Sequence, residues 1–181
     1  MTQMIQLNEV LGNKAAVALL QYFALHPTIE VTFTQLRKET GLATATLAKW
    51  LECLTKNGLI TSRELGNMRP YLLKADHPFV LRFKILLTVM RLLPLTDISK
   101  KFGCSIFLFG SSARGEDIEQ SDIDLLIIGE EHEAEIKSAI GRQKHDRHLS
   151  AHLFSAIEWA GMAQKDPAFY ERVEKDKIRL A

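Results

Sequence analysis

The chain has 181 residues, of which 46% are hydrophobic and 25% are charged. These fractions are typical of an ordinary soluble globular protein. No apolar stretch reaches the roughly 18 residues that a membrane span requires, which argues against a membrane protein. The first residues lack the pattern of a secretory signal, and Cys53 and Cys104 have no metal-like spacing. We therefore expect a reduced, cytoplasmic protein.

Charge is divided unevenly along the chain, although the net charge is only +1. Residues 1–95 hold 11 Lys and Arg against 6 Asp and Glu, whereas residues 96–181 hold 12 against 16. This asymmetry hints at two modules with different partners, and a basic module is compatible with nucleic acid. On charge alone, chance variation explains the difference equally well.

The first module is predicted to contain three helices and a hairpin. Three segments have apolar residues at helical spacing and end at turn-forming residues: 14–25, 32–40 and 44–57. The second helix opens with a capping box, in which Thr32 and Gln35 satisfy each other's free backbone N–H groups. Residues 59–74 then alternate and turn around a Gly-Asn pair, which indicates a β-hairpin.

A tight turn at Gly41, a Leu-x-x-x-Leu-x-x-Leu spacing in the third helix and an Asn-Gly-Leu-Ile segment before the hairpin complete this pattern. Residues 14–75 thereby resemble a winged helix-turn-helix domain, whose third helix usually lies in the DNA major groove. The resemblance implies DNA-binding hydroxyl and basic side chains: Thr44, Thr46, Lys49, Arg63 and Arg69. Winged helices also serve as protein-contact or dimerisation modules, and this alternative stays open.

Residues 77–93 form a strongly apolar predicted helix that is too short and too charged to cross a membrane. Pro78 suits its first turn, and Pro94 ends it. Its apolar side chains form a wide stripe: Phe79, Phe83, Leu86, Leu87 and Met90. The helix either packs on both modules as a connection or provides the surface of a homodimer.

In the second module, two carboxylates and a turn of small residues adjoin apolar strands. Asp122 and Asp124 are two residues apart at the start of a predicted strand, so both project to the same face. Paired carboxylates repel unless a cation lies between them, and their oxygens suit Mg²⁺ or Mn²⁺. The Gly110-Ser111 turn allows backbone N–H groups to approach a phosphate. Together these features indicate a site for phosphoryl or nucleotidyl transfer.

The segment Gly-Ser-Ser-Ala-Arg-Gly at residues 110–115, followed by Ser-Asp-Ile-Asp-Leu-Leu at residues 121–126, resembles the minimal nucleotidyltransferases of the DNA polymerase β superfamily. The resemblance is close over this segment and looser over residues 98–181. It implies that Asp122 and Asp124 bind the divalent ions and are catalytic. It also implies a nucleotide-binding role for four residues of the turn: Gly110, Ser111, Ser112 and Arg114. Arg114 either reaches phosphate or pins the loop by pairing with an acidic neighbour.

The predicted fold class is therefore α+β, with three segments along the chain. They are a winged helix-turn-helix at residues 1–75, a linker helix at residues 76–95, and a nucleotidyltransferase-fold mixed β-sheet flanked by helices at residues 96–181.

A third carboxylate, which this family normally has on the next strand, is missing. The predicted strand at residues 149–154 contains no Asp or Glu, and Ser150 or His152 is nearest the expected position. His152 could act as a base, although a His in an alternating strand is more often structural. Asp146 is expected in the preceding turn. Three nearby basic residues either hold phosphate or are simply solvated: Lys144, Arg147 and His148.

Two functions are compatible with these features. The first is a nucleotidyltransferase that binds NTP and Mg²⁺ and transfers a nucleoside monophosphate to a protein or small-molecule hydroxyl, with the DNA-binding module recruiting a target. The second is a transcriptional regulator whose transferase domain senses nucleotide or is inactive. Minimal members of the family often modify a small helical protein, which implies such a partner. A third function, antibiotic adenylylation, is disfavoured because no large helical substrate domain follows the third strand.

Overall fold

A computed structural model describes residues 10–181 of the chain. The prediction drawn from the N-terminal segment, that it carries no secretory signal, falls largely on residues outside the described part. The chain divides into two compact units between Leu81 and Arg82, inside a helix. Within residues 10–181, no helix has both the length and the apolar character needed to cross a bilayer.

In the described part of the first unit, three helices and a hairpin lie close to the predicted positions. The helices are α1 (Lys14–Leu25), α2 (Phe33–Thr40) and α3 (Thr44–Lys56). The hairpin consists of the antiparallel strands β1 (Ile60–Ser62) and β2 (Tyr71–Leu73).

Side-chain caps explain where these helices begin and end. Asn13 Oδ1 accepts hydrogen bonds from two backbone N–H groups of the first turn of α1, at 3.0 and 3.2 Å. Thr32 and Gln35 form the predicted capping box at the start of α2. Gly41 follows α2 with a φ of +67°, a backbone conformation that favours glycine. Together these caps fix the tight turn that leads into α3.

The core of the first unit is built from the apolar faces of its helices. Buried positions recur at intervals of three and four residues, as they do in amphipathic helices. On α3 they are Leu47, Trp50, Leu51 and Leu54.

A four-stranded mixed sheet forms the centre of the second unit, which confirms the predicted α+β class. Helix α4 (Pro78–Leu92) begins in the first unit and enters the second at Arg82. The remaining elements are α5 (Leu95–Phe102), β3 (Ser105–Phe109), α6 (Gly110–Arg114), β4 (Ile123–Ile128), α7 (Glu133–Gly141), β5 (Leu149–Phe154), α8 (Ala156–Lys165), α9 (Pro167–Asp176) and β6 (Ile178–Arg179).

The strand order is β5-β4-β3-β6, with β4 and β5 parallel and the other two pairs antiparallel. Phe109 pairs with Asp124 across β3 and β4, and Asp124 pairs with Ser150 across β4 and β5. The start of β4 therefore lies between the end of β3 and the start of β5.

Each face of the sheet carries its own core, because side chains alternate along the strands. One face packs against α4, α5 and α7 through the apolar residues around Leu108 and Leu125. The other face packs against α8 and α9 through an aromatic cluster: Phe107, Phe109, Phe154, Trp159, Phe169 and Tyr170. Asp124 and Ser150 belong to this aromatic face by alternation.

The buried face of α4 differs from the predicted apolar stripe. Leu86 and Met90, two members of that stripe, are 46% and 57% exposed. The charged Lys84 is buried instead, with Thr88 one turn further along. The reason is a partner that the helical periodicity does not reveal, since Lys84 forms an ion pair with the buried Asp117.

Candidate active site

Gly110 and Asp124 lie in close contact at one edge of the sheet. A Cβ atom on Gly110 would lie only 2.5 Å from Asp124 Oδ2. Gly110 also has a φ of +72°, which disfavours any residue with a side chain. The antiparallel pairing of β3 and β4 brings the turn to the carboxylate, so both predicted halves of the site meet here.

Helix α6 begins directly at Gly110 and contains the remaining turn residues. Backbone N–H groups in the first turn of a helix have no partner within that helix. The side chain of Ser111 is half-buried at this edge. These groups are the ones that the sequence predicts for phosphate binding.

Asp122 and Asp124 differ in their surroundings. Asp122 is exposed, and its Oδ2 lies 3.5 Å from Nδ1 of His148. Asp124 is half-buried, and burial raises the pKa of its carboxyl group above the ordinary value. The charge of Asp122 adds to this rise in pKa, whereas His152 opposes it. A cation at this position would therefore relieve an unfavourable pair of negative charges.

Strand β5 contributes a hydroxyl and an imidazole to the same face. Ser150 lies opposite Asp124, and its Oγ is 3.4 Å from Nε2 of His152. The His152 ring packs between the rings of Phe109 and Phe169, with centroid distances of 5.6 and 5.8 Å. His152 thus combines a packing role with a position beside Asp124.

Within the described residues, no third carboxylate joins Asp122 and Asp124. Asp146 lies in the turn before β5, as predicted, and its Oδ2 is 2.7 Å from the guanidinium of Arg91. Among residues 10–181, no group of three or more His, Cys, Asp or Glu side chains is arranged to hold a metal ion.

Two of the predicted nucleotide-binding residues are engaged with protein partners. Arg114 pairs with Glu116 at 2.6 Å and with Asp176 at 3.0 Å. Of the two roles considered from sequence, phosphate contact and pinning of the loop, this arrangement is the second. The Ser112 side chain is fully buried, and its hydroxyl accepts a hydrogen bond from Arg147 at 2.9 Å. Any contribution of the Ser112 hydroxyl to nucleotide binding would therefore pass through Arg147.

The three residues of the predicted basic cluster have different surroundings. Lys144 and His148 are exposed, whereas Arg147 is largely buried and forms an ion pair with Asp117. Sequence reasoning missed Asp117 and its second partner, Lys84. A charged residue within an apolar helix was the available signal for Lys84.

Arg172 on α9 is another residue that sequence reasoning missed. Its guanidinium lies over the Phe169 ring, 5.4 Å from the centroid, and its charge favours the ionised form of Asp124. Within the described chain, no carboxylate is in ion-pair distance of Arg172. Arg172 is far along the chain from both site motifs, so no pattern in the sequence links it to the site.

On α3, the residues predicted to bind DNA lie on or near the surface. Thr44 and Lys49 are exposed, and Thr46 is half-buried. Lys49 Nζ lies 5.8 Å from the ring centroid of Trp50, and Thr44 accepts a hydrogen bond of 3.5 Å from Arg37.

On the hairpin, the two predicted arginines are exposed and each has a local partner. Arg63 forms an ion pair of 2.8 Å with Glu30, and Arg69 Nε donates to Ser62 Oγ at 3.0 Å. An exposed ion pair of this kind contributes little stability, so Arg63 can exchange its partner at small cost.

A mixed sheet that brings a Gly-Ser turn against a carboxylate pair is the arrangement expected of a nucleotide-transferring domain. Residues 95–179 match the family model of the nucleotidyltransferase domain. The match spans the whole four-stranded sheet, and the two observations together support a nucleotidyltransferase domain in this part of the chain. Comparisons with curated proteins and with solved structures gave no match.

Proposed function

We propose that the second unit binds a nucleoside triphosphate and a divalent cation, and transfers the nucleoside monophosphate to a hydroxyl group of a protein or small molecule. The observation that carries this proposal is the contact between Gly110 and Asp124, where a Cβ would lie 2.5 Å from the carboxylate. The family match at residues 95–179 supports the same class of function.

The donor groups at this edge fit Mg²⁺ or Mn²⁺ shared with the nucleotide. In nucleotide sites Mg²⁺ is commonly bound by one or two carboxylates together with substrate phosphates. Asp122 and Asp124 would supply the carboxylates, and a bound cation would offset the repulsion between their negative charges. When bound, the cation neutralises the negative charge of the phosphates.

The chain's own residues would orient the reactants. Backbone N–H groups of the turn at Gly110 and Ser111 would hold the phosphates. Transfer joins the acceptor oxygen to the α-phosphorus, and pyrophosphate leaves. The acceptor proton would pass to His152, the candidate base on β5, whose ring packs against Phe109 directly before the turn. The acceptor that we would test first is a small helical protein, as the family resemblance implies.

A second candidate function is nucleotide sensing without transfer. It is favoured by the register of β5, which places Ser150 rather than a carboxylate opposite Asp124. A hydroxyl is a weak ligand for a divalent ion compared with a carboxylate. In this alternative the protein binds nucleotide and regulates transcription through its first unit.

For the first unit we propose DNA binding through α3 and the hairpin. The exposed Thr44, Lys49, Arg63 and Arg69 and the basic balance of residues 1–95 support this proposal. The alternative is a protein-contact module of the same architecture.

One experiment separates transfer from sensing. The pure protein is incubated with Mg²⁺ and each labelled NTP, alone and with a cell lysate, beside the Asp122→Asn/Asp124→Asn variant. The matched control, Glu133→Gln/Glu135→Gln, removes the same charge from exposed positions of α7. Transfer that only the site variant loses supports the enzyme, and binding without transfer supports the sensor. Absence of nucleotide binding in the wild type contradicts both.

DNA binding is tested by gel shift at low salt, where phosphate contacts are strongest. The Lys49→Ala/Arg63→Ala variant should lose the shift. The Lys14→Ala/Lys74→Ala control, which removes equal charge from exposed positions of the same unit, should retain it. No shift on any duplex would favour a protein-contact module.

A further inference from the structure

Arg147 joins the two halves of the candidate site. Its Nη2 donates to Ser112 Oγ at 2.9 Å, and Ser112 belongs to the helix that starts at Gly110. Its Nε donates to the backbone oxygen of Ser121 at 2.7 Å, and its Nη2 to that of Asp122 at 3.1 Å. One guanidinium therefore connects the helix that starts at Gly110 with the segment that contains Asp122.

A buried ion pair holds Arg147 in this position. Nη1 of Arg147 pairs with Asp117 Oδ2, while Lys84 Nζ lies 3.3 Å from Asp117 Oδ1 and donates to the Asp117 backbone oxygen. The side chains of Lys84, Asp117 and Arg147 are only 3%, 7% and 12% exposed. Separating buried charges of this kind would leave an uncompensated charge in the interior, so the network resists rearrangement.

We propose that Arg147 is a positioning residue for nucleotide and cation binding, held in place by Lys84 and Asp117. The ligands in this proposal rest on the proposed function, whereas the positioning itself does not. Both ends of the guanidinium and its Nε are engaged with protein groups, so Arg147 is not a free phosphate ligand. A planar fork is needed for this geometry, and a lysine ammonium cannot reproduce it.

The position of Arg147 matters because the carboxylates and the turn that it connects tolerate little displacement from each other. Asp122 and Asp124 must face the turn closely enough to share a cation with the phosphates, and an error of about 1 Å lowers rates strongly. Groups that orient metal ligands from behind typically change metal affinity or activity by about 10–100-fold when they are lost.

The first test uses hydrogen exchange of the full-length protein without nucleotide. In Arg147→Gln, backbone exchange in residues 110–124 should accelerate, while residues 156–176 stay as in the wild type. Arg147→Lys should give an intermediate result. The control is Arg142→Gln, an exposed arginine whose guanidinium bonds, among residues 10–181, only to Ser138. Unchanged exchange in residues 110–124 of Arg147→Gln would overturn the proposal.

A milder variant keeps the test decisive if Arg147→Gln does not fold. Ser112→Ala removes one acceptor of Arg147 without leaving a buried charge unpaired. It should accelerate exchange in the same segment by a smaller amount, with the global unfolding transition retained. Equal exchange in Ser112→Ala and wild type would then count against the proposal.

The second test measures the affinity for Mg²⁺ with ATP, CTP, GTP or UTP. Arg147→Gln should weaken binding about tenfold or more, and Arg147→Lys should recover part of it. Lost binding with unchanged exchange would mean direct phosphate contact, and faster exchange with unchanged affinity would mean a purely structural role; either contradicts positioning. If the wild type binds no nucleotide, the proposed function fails, while the exchange result still decides the positioning.

Discussion

Ser150 lies directly opposite Asp124 on the neighbouring parallel strand, so the residue paired with Asp124 is a serine and not a carboxylate. Partners in adjacent strands project to the same face of a sheet, so an acidic side chain at residue 150 would point toward Asp124. The serine hydroxyl instead lies near His152. This pairing is the main difference between the present site and a three-carboxylate site.

We predict that Ser150→Asp strengthens divalent-ion binding and raises any transfer activity. A third carboxylate adds an oxygen ligand and negative charge, both of which Mg²⁺ and Mn²⁺ prefer. Calorimetry with Mn²⁺ and the labelled-NTP assay would measure the two effects. Ser150→Asn, which has the same shape without the charge, is the matched control. Equal Mn²⁺ affinity in both variants would contradict the prediction.

We predict that Gly110→Ala reduces both stability and nucleotide affinity. The new methyl group would meet Asp124 Oδ2 at 2.5 Å, and a positive φ costs a residue with a side chain about 1–2 kcal/mol. Gly141→Ala is the control, because a Cβ there has open space. Denaturant unfolding should show a loss of stability in Gly110→Ala alone. Unchanged stability would mean that the turn shifts freely away from Asp124.

The two site motifs were predictable because their geometry is local. The Asp-x-Asp spacing determines a shared face, and the apolar runs beside Gly110 and Asp122 place both at strand ends. The sequence left Ser150 and His152 open as the residue nearest the missing carboxylate, and the register between β4 and β5 places Ser150 opposite Asp124. Each of these inferences spans a few residues of chain.

The supporting network was not predictable, because it consists of contacts between distant segments. Lys84 meets Asp117 across 33 residues, and Arg147 meets Asp117 across 30. Helical periodicity treats Lys84 as a surface charge, and only the tertiary fold shows that it is buried. The same limit applies to Arg114, whose partner Asp176 lies 62 residues away.

We predict that Asp117→Asn destabilises the second unit more than Lys84→Met. Asp117→Asn leaves two buried cations without their anion, and breaking a buried pair in this way costs about 3–5 kcal/mol. Lys84→Met removes a cation but leaves Asp117 paired with Arg147, and burial already lowers the pKa of Lys84. Denaturant unfolding of both variants would give the order. A larger loss in Lys84→Met would contradict this account of the network.

We predict that His145 makes the protein less stable as the pH falls below about 6.5, the ordinary pKa of histidine. Burial lowers the pKa of His145, and the charges of Arg91 and Arg147 lower it further, although Asp146 opposes them. Its Nε2 is buried and has no hydrogen-bond partner in the described chain. Because the unfolded chain then binds the proton more readily, the free energy of unfolding must decrease between pH 6.5 and the lowered folded-state pKa.

The measurement is denaturant unfolding at several pH values between 5 and 8, on wild type and His145→Asn. Asparagine can keep the acceptor that receives the Arg147 backbone N–H but cannot be protonated in this range. The difference in unfolding free energy between the two proteins should therefore change with pH. Asp146 affects the pH dependence of stability only at lower pH. Burial favours its neutral form, but Arg91 lowers its pKa overall. Its contribution to the free energy of unfolding is therefore lost only below about pH 4. A pH-independent difference would show that His145 titrates normally in the folded protein.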